Sequence, residues 1–145
     1  MYPAHMAIII FKWVIKMWFQ NALGKEKIQF MFNNELDIQL LEIQEFSMKD
    51  FSDLKLKFIC KNVPKKHPEK WGKEGFNALS LVITFGDITQ LNITGSKIGF
   101  FCSPTITSLP TYSEINIEHD DLRLYCKSKF LTVEGITPYL DERWG

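Results

Sequence analysis

The sequence lacks the short patterns by which enzymes most often declare themselves. It contains no GxSxG, no HExxH, no P-loop and no GxGxxG, which removes the ready hydrolase, zinc-protease and nucleotide-binding readings. It also lacks an excess of either charge, since seventeen Lys and Arg balance seventeen Asp and Glu. Nucleic-acid binders usually carry a basic surplus, so no nucleic-acid partner is expected. Cysteine is scarce. Cys60, Cys102 and Cys126 are odd in number, widely spaced and without a CxxC pair. Zinc would want closer ligand pairs, and a disulfide framework an even count. Three buried thiols in a reducing compartment are expected instead, hence a cytoplasmic protein. No metal ligand set, no catalytic residue and no cofactor follow from these residues.

No apolar run is long enough to span a membrane, which takes about 20 residues. The most apolar stretch, AIIIFKWVIKMWF from Ala7 to Phe19, is interrupted by Lys12 and Lys16. The lysines fall inside the stretch, and no A-x-A pattern follows, which argues against a signal peptide. Four residues apart, they share one face of a helix. The stretch reads as an amphipathic helix packing on the domain, or as an upstream extension of a chain whose true start is Met17. Residues 1–16 are therefore set apart from one domain over 17–145, and no membrane partner is expected.

What is present is an ordinary globular balance, with 46% hydrophobic and 23% charged residues in 145. A chain of this length buries roughly two-thirds of its unfolded surface, enough for a core without staples. Aromatics reach 14%, with twelve phenylalanines, read most economically as core. Ile28, Met31 and Phe32 recur at helical spacing and predict a short helix ended by Asn33-Asn34. From there the period is two. Leu36, Ile38 and Leu40 alternate, Leu41 and Ile43 alternate in the opposite phase, and Phe46 and Met48 shift again. Slips of one residue predict β-bulges. Lys49 to Asp53 reads as a turn into a strand of Leu54, Leu56 and Phe58.

Asn62 to Gly75 is a long loop punctuated by Pro64 and Pro68. Leu79, Leu81, Ile83 and Phe85 form the cleanest strand. Gly86-Asp87 reads as a turn into a further strand of Leu91 and Ile93. Ile98, Phe100 and Cys102 predict another, and Pro104 and Pro110 bracket a loop. Ile115, Ile117 and His119 then alternate, Asp120-Asp121 turns, and Leu122, Leu124 and Cys126 alternate back. Phe130 to Val133 is a last short strand, and Pro138 suits a terminal turn or helix over Gly135 to Leu140. About seven or eight short strands predict a mainly β (α+β) protein. Its antiparallel sheet would be sandwich-like or strongly curved, with a short N-terminal helix.

The densest polar cluster is Glu118-His119-Asp120-Asp121. Successive strand residues point to opposite faces, so Glu118 and His119 do not share a site. A histidine satisfied at a strand end is the simpler reading, against a base or metal ligand in a hydrolase. His67 sits among Lys65, Lys66 and Lys70, a poor setting for a cation. Ser103 and Ser113 have no base nearby in sequence. Phe100, Phe101 and Tyr125 could stack on bases, but stacking platforms come with a basic groove. Lys65, Lys66, Lys70 and Lys73 read as a solvated loop face, or as a docking patch for an acidic partner.

One segment carries a likeness. Pro68, Trp71, Lys73, Gly75, Phe76 and Asn77, followed by Leu79, Leu81 and Phe85, resemble a motif of the immunity protein 50 family. These are small bacterial proteins found beside polymorphic toxins. Ile88, Leu91 and Gly95 are similar to its next strand, and Leu131, Val133, Gly135 and Tyr139 to its closing segment. Met17-Trp18-Phe19 looks like its start. The likeness covers Met17 to Leu140 and rests on structural residues. It implies binding without chemistry: a cytoplasmic, non-enzymatic protein that neutralises a cognate toxin. An acidic face of Glu114, Glu118, Asp120 and Asp121 would suit a basic toxin. Trp71, Phe76 and Asn77 would anchor the loop to the fold, with Trp71 folded back over the sheet. The rival reading is a β-sandwich module for a ligand or partner with no toxin role.

Overall fold

The computed structural model describes residues 17–64, 66–72 and 75–144. The apolar stretch at residues 7–16, Lys65 and Lys73 lie outside the described residues. The ordered elements are α1 (Glu26–Met31), β1 (Leu41–Lys49), β2 (Asp53–Cys60), α2 (Glu69–Gly72), β3 (Ala78–Gly95), β4 (Phe101–Cys102), β5 (Thr105–Ser108), β6 (Ser113–Glu118) and β7 (Leu122–Tyr139), followed by a 3-10 turn over Glu142–Trp144. The strands make one antiparallel sheet in the order β4-β1-β2-β3-β7-β6-β5, not closed into a barrel. The chain is thus mainly β with two short helices.

The helix forms where helical spacing places it. Ile28 and Phe32 are buried and Met31 packs against the core. Asn33 and Asn34 end it at φ 54° and 63°, a left-handed conformation that asparagine tolerates better than most residues. The phase slips also have physical counterparts. Leu36 and Ile38 are buried, but they precede β1 rather than forming a strand. Leu40 resets the phase at φ 54°, and a bulge between Ile43 and Glu45 resets it again.

The largest departure from the sequence reading concerns Gly86-Asp87, which is not a turn. β3 runs through it for 18 residues and pairs with β7, also 18 residues long, from Ala78↔Tyr139 to Gly95↔Leu122. What reads as a turn signal is a bend. The Phe130 ring lies so close over Gly86 that a Cβ there would collide with it. Asp87 adopts φ 56°, and Ile88 N–H reaches back to Ser52 O at 2.9 Å. In β7 the buried positions change parity at this point: Leu122, Leu124 and Cys126 lie on one side of it, Leu131 and Val133 on the other. Phe130 to Val133 is therefore no separate strand.

Three smaller expectations are corrected. The stretch from Gly135 is strand as far as Tyr139. Pro138 fits because β6 pairs β7 only as far as Ser128, and among the described residues no strand pairs with that side at Pro138, where a missing N–H does no harm. Between Pro104 and Pro110 lies β5 rather than only a loop, with Ile106 buried. Of the strand expected over Ile98 to Cys102, two residues pair. The phenylalanines also divide. Phe19, Phe32, Phe58, Phe85 and Phe100 are buried, while Phe30, Phe51, Phe101 and Phe130 are exposed.

The core is one cluster. Leu56, Phe58, Leu81 and Ile83 of β2 and β3 meet Trp18, Phe19 and α1, and the cluster continues through Ile106, Ile115, Ile117 and Leu124. Residues 18–24 dock along β7 by a parallel bridge of Leu23 to Thr132. Gly24, at φ +78°, permits this approach because a Cβ would strike the Val133 carbonyl.

Candidate functional site

Three places gather side chains capable of more than packing. The first is the Trp71 loop. Trp71 is 5% exposed. Its ring meets Phe32 edge-on at 5.8 Å, Phe76 edge-on at 5.9 Å and His67 in parallel at 6.4 Å. The His67 Nδ1–H donates to Pro68 O at 3.2 Å. Asn77 bonds the chain at Asp141 twice: its Nδ2 donates to Asp141 O at 2.9 Å, and Asp141 N–H donates to Asn77 Oδ1 at 2.8 Å. Trp71 and Phe76 thus meet each other, and Trp71 the end of the helix at Phe32, while Asn77 ties the same segment to the C-terminal chain. A shallow depression of about 600 Å³ beside them is lined by Lys61, Val63, His67, Phe76 and Asn77 among others.

The second place is invisible in the sequence. Glu42 and Asp141 are 5% and 4% exposed, and one arginine holds both. Arg143 donates from Nη1 and Nη2 to the Glu42 carboxylate at 3.1 and 2.9 Å, and from Nε to Asp141 Oδ1 and Oδ2 at 2.9 and 3.1 Å. The guanidinium holds the Asp141 carboxyl below its usual range and is itself raised by the two carboxylates. Glu42 pairs with Ile59, and Ile59 with Ser80. The C-terminal turn therefore crosses this row, on the face opposite Phe58. Ile59 is fully buried there, although it stands outside the main core cluster.

The third place is the wet face of the other half of the sheet. Register aligns Gln90, Lys127 and Glu114 in one row, Asn92, Tyr125, Asn116 and Thr105 in the next, and Thr94, Arg123 and Glu118 in the third. Tyr125 Oη donates to Glu114 Oε2 at 2.8 Å. That bond, together with the nearby carboxylate charge, raises the phenol pKa. Lys127 Nζ sits 4.5 Å over the Tyr112 ring.

The four acidic residues fall at one end of the sheet but not into one charge. Glu114 and Glu118 lie on the wet face of β6, each directly opposite a cation of β7, Lys127 and Arg123. Asp120 and Asp121 make the turn between the strands. Asp121 is 3.8 Å from Lys97 and 3.7 Å from His119, and Asp120 is exposed. His119 stacks on Phe100 at 3.8 Å, and its Nδ1 accepts the Asp121 N–H at 3.0 Å. A neutral ring then carries its proton on Nε2.

Among the described residues no group of three or more His, Cys, Asp or Glu is placed to hold a metal, and no helix is long and apolar enough to cross a membrane. The three cysteines are unpaired and buried. Burial pushes Cys60 and Cys102 up to about 11 and Cys126 to about 12, so these thiols stay protonated at neutral pH.

The family model described as immunity protein 50 matches residues 24–139. This chain belongs to the immunity protein 50 family. The match takes in Trp71, Phe76, Asn77, both long strands and the wet face. It stops before Asp141 and Arg143, so of the clamp only Glu42 lies within the shared segment. No curated protein and no solved structure matches the chain. Membership of a family of immunity proteins suggests a non-catalytic inhibitor with a toxin as partner.

Proposed function

We propose that this immunity protein 50 family member binds a cognate bacterial toxin in the cytoplasm of the cell that makes both, and neutralises it by occupying its surface. The family match carries this reading. The unreactive thiols suit a reducing compartment. The second-half face offers solvated rows of both charges on paired strands, and such complementary surfaces give partner choice and fast association. Glu118, Asp120 and Asp121 would contact the toxin at the turn end, with Glu114 and Tyr125 behind them. Because Arg123 and Lys127 stand opposite the glutamates, the surface selects a partner of alternating charge rather than a uniformly basic one.

The test uses the protein encoded by the adjoining toxin gene. Mixing the two should give a complex by calorimetry and restore growth to cells expressing the toxin. A toxin that is neither bound nor neutralised overturns the reading. Glu118→Lys with Asp120→Lys should weaken binding at least about tenfold with an unchanged far-UV spectrum. Undiminished binding would place the interface elsewhere on the chain.

A further inference from the structure

Among the described residues, the outer edge of β1 is open over much of its length. Toward β2 it is paired as far as Lys49↔Asp53. On its other side β4 meets only Leu41 and Glu42. The last backbone bonds there are Ile43 N–H to Phe100 O at 3.2 Å and Gly99 N–H to Ile43 O at 3.0 Å. Among the described residues no strand pairs with that side from Glu45 to Lys49. A strand edge with unmade backbone bonds is a template for another strand.

The direction of those groups follows from the register. Ile43 turns its N–H and C=O outward, as its bonds to Phe100 and Gly99 show. The bulge at Gln44 moves β1 two residues while β2 moves one, from Ile43↔Phe58 to Glu45↔Lys57. Glu45, Ser47 and Lys49 then bond toward β2, and Phe46 and Met48 present their backbone groups outward.

We infer that a second copy of this chain adds to this edge, antiparallel and centred on Ser47. Centred there, the charges and the outward backbone groups match in the same register. Two residues either side of Ser47 stand Glu45 and Lys49, both exposed. Self-pairing sets Glu45 of each copy opposite Lys49 of the other, twice. One residue either side stand Phe46 and Met48, which meet each other twice on the opposite face. They are also the residues with outward N–H and C=O groups, so backbone bonding and side-chain pairing agree in a single register. The apolar exposure at this edge fits: Met48 is 49% exposed and Phe51, in the adjoining turn, is 106% exposed.

Charges and bulges at an edge usually serve to prevent pairing. That holds for charges of one sign, which repel their own copy. A Glu and a Lys spaced evenly about one residue attract it. The strand is short, and a stable interface usually buries about 1,200 Å² or more. The association is therefore concentration-dependent. It uses a different strand from the face proposed for the toxin, although Phe100 links the two regions, its carbonyl accepting from Ile43 N–H and its ring stacking on His119. The variants that test it, at Glu45, Lys49 and Met48, are not those that test that proposal.

Sedimentation equilibrium of the full chain, from micromolar to millimolar concentration, tests it. The average mass should rise from one chain toward two. Glu45→Lys or Lys49→Glu alone should weaken association about tenfold or more. The two single variants mixed together should associate with each other, and the double variant should recover self-association. Met48→Pro removes an outward N–H at a position where an edge tolerates proline, and should abolish pairing with the far-UV spectrum retained. A wild-type chain that stays monomeric throughout overturns the inference. So does a dimer that survives Glu45→Lys, or a mixture of the single variants that fails to pair.

Discussion

One end of the β3–β7 pair is covered on both faces, and the other end on one. At the Ala78–Tyr139 end the inner face carries Leu79, Leu81 and Ile83, while Ala78, Ser80 and neighbouring Ile59 are buried on the outer face beneath the C-terminal turn. At the Gly95–Leu122 end the inner face carries Leu124 and Cys126, while Asn92, Thr94 and Arg123 stand in water. The same two strands thus serve as buried scaffold at one end and as presenting surface at the other. Under the proposed function, stability and recognition are separated along one pair of strands, so changes at the wet end would alter binding without unfolding the protein.

Four measurements sharpen or break this division. Trp71→Ala removes the largest side chain from the covered end and leaves a cavity among Phe32, His67 and Phe76. Urea unfolding should show a loss of about 3–5 kcal/mol, and a near-neutral change would place Trp71 outside the scaffold. Asn77→Ala removes both bonds to the backbone of the buried Asp141 and should cost about 1–3 kcal/mol by the same measurement.

The third concerns acid. The folded Asp141 carboxyl lies below its unfolded value because Arg143 stabilises the carboxylate. A depressed carboxyl contributes stability that is complete above its unfolded pKa, about 3.9. That contribution disappears as pH falls through the lower folded value. Thermal melts of the wild-type chain should therefore decline in that acid window, and Arg143→Met should flatten this decline while lowering stability at neutral pH. An unchanged acid limb would show that the clamp is not formed in solution. The smallest effect is expected at the wet end. Tyr125→Phe deletes one half-exposed hydrogen bond to Glu114 and should change stability by less than about 1 kcal/mol. A loss as large as that of Trp71→Ala would erase the distinction between the two ends.

Much of the scaffold was legible in residue order. The helix of Ile28, Met31 and Phe32 and its asparagine end follow from helical spacing and the left-handed tolerance of Asn33-Asn34. The bulge in β1 follows from the phase slip between Ile43 and Phe46. The alternation of β2 and the turn at Asp120-Asp121 are equally local. Gly86-Asp87 misled because glycine serves close approach as well as turning. What it accommodates is the ring of Phe130, 44 residues away in the chain. The Arg143 clamp left no trace, because 101 residues separate Arg143 from Glu42 and a lone glutamate between Leu41 and Ile43 reads as solvent-facing. The four acidic residues could be named, but not the cations opposite them, because strand register is a long-range property.

By itself the sequence determined the secondary-structure class, the apolar face of most strands, the absence of motif-borne chemistry and, through Trp71, Phe76 and Asn77, the family. These depend on periodicity and residue type within a few positions, where steric and hydrophobic preferences act directly. Tertiary structure decided that β3 and β7 are long continuous partners, that one end of them is roofed by the C-terminus, and that the glutamates of the wet face stand opposite Lys127 and Arg123. Each of these requires residues distant in the chain to meet at one register, and that register is fixed only when the whole sheet assembles around a shared core.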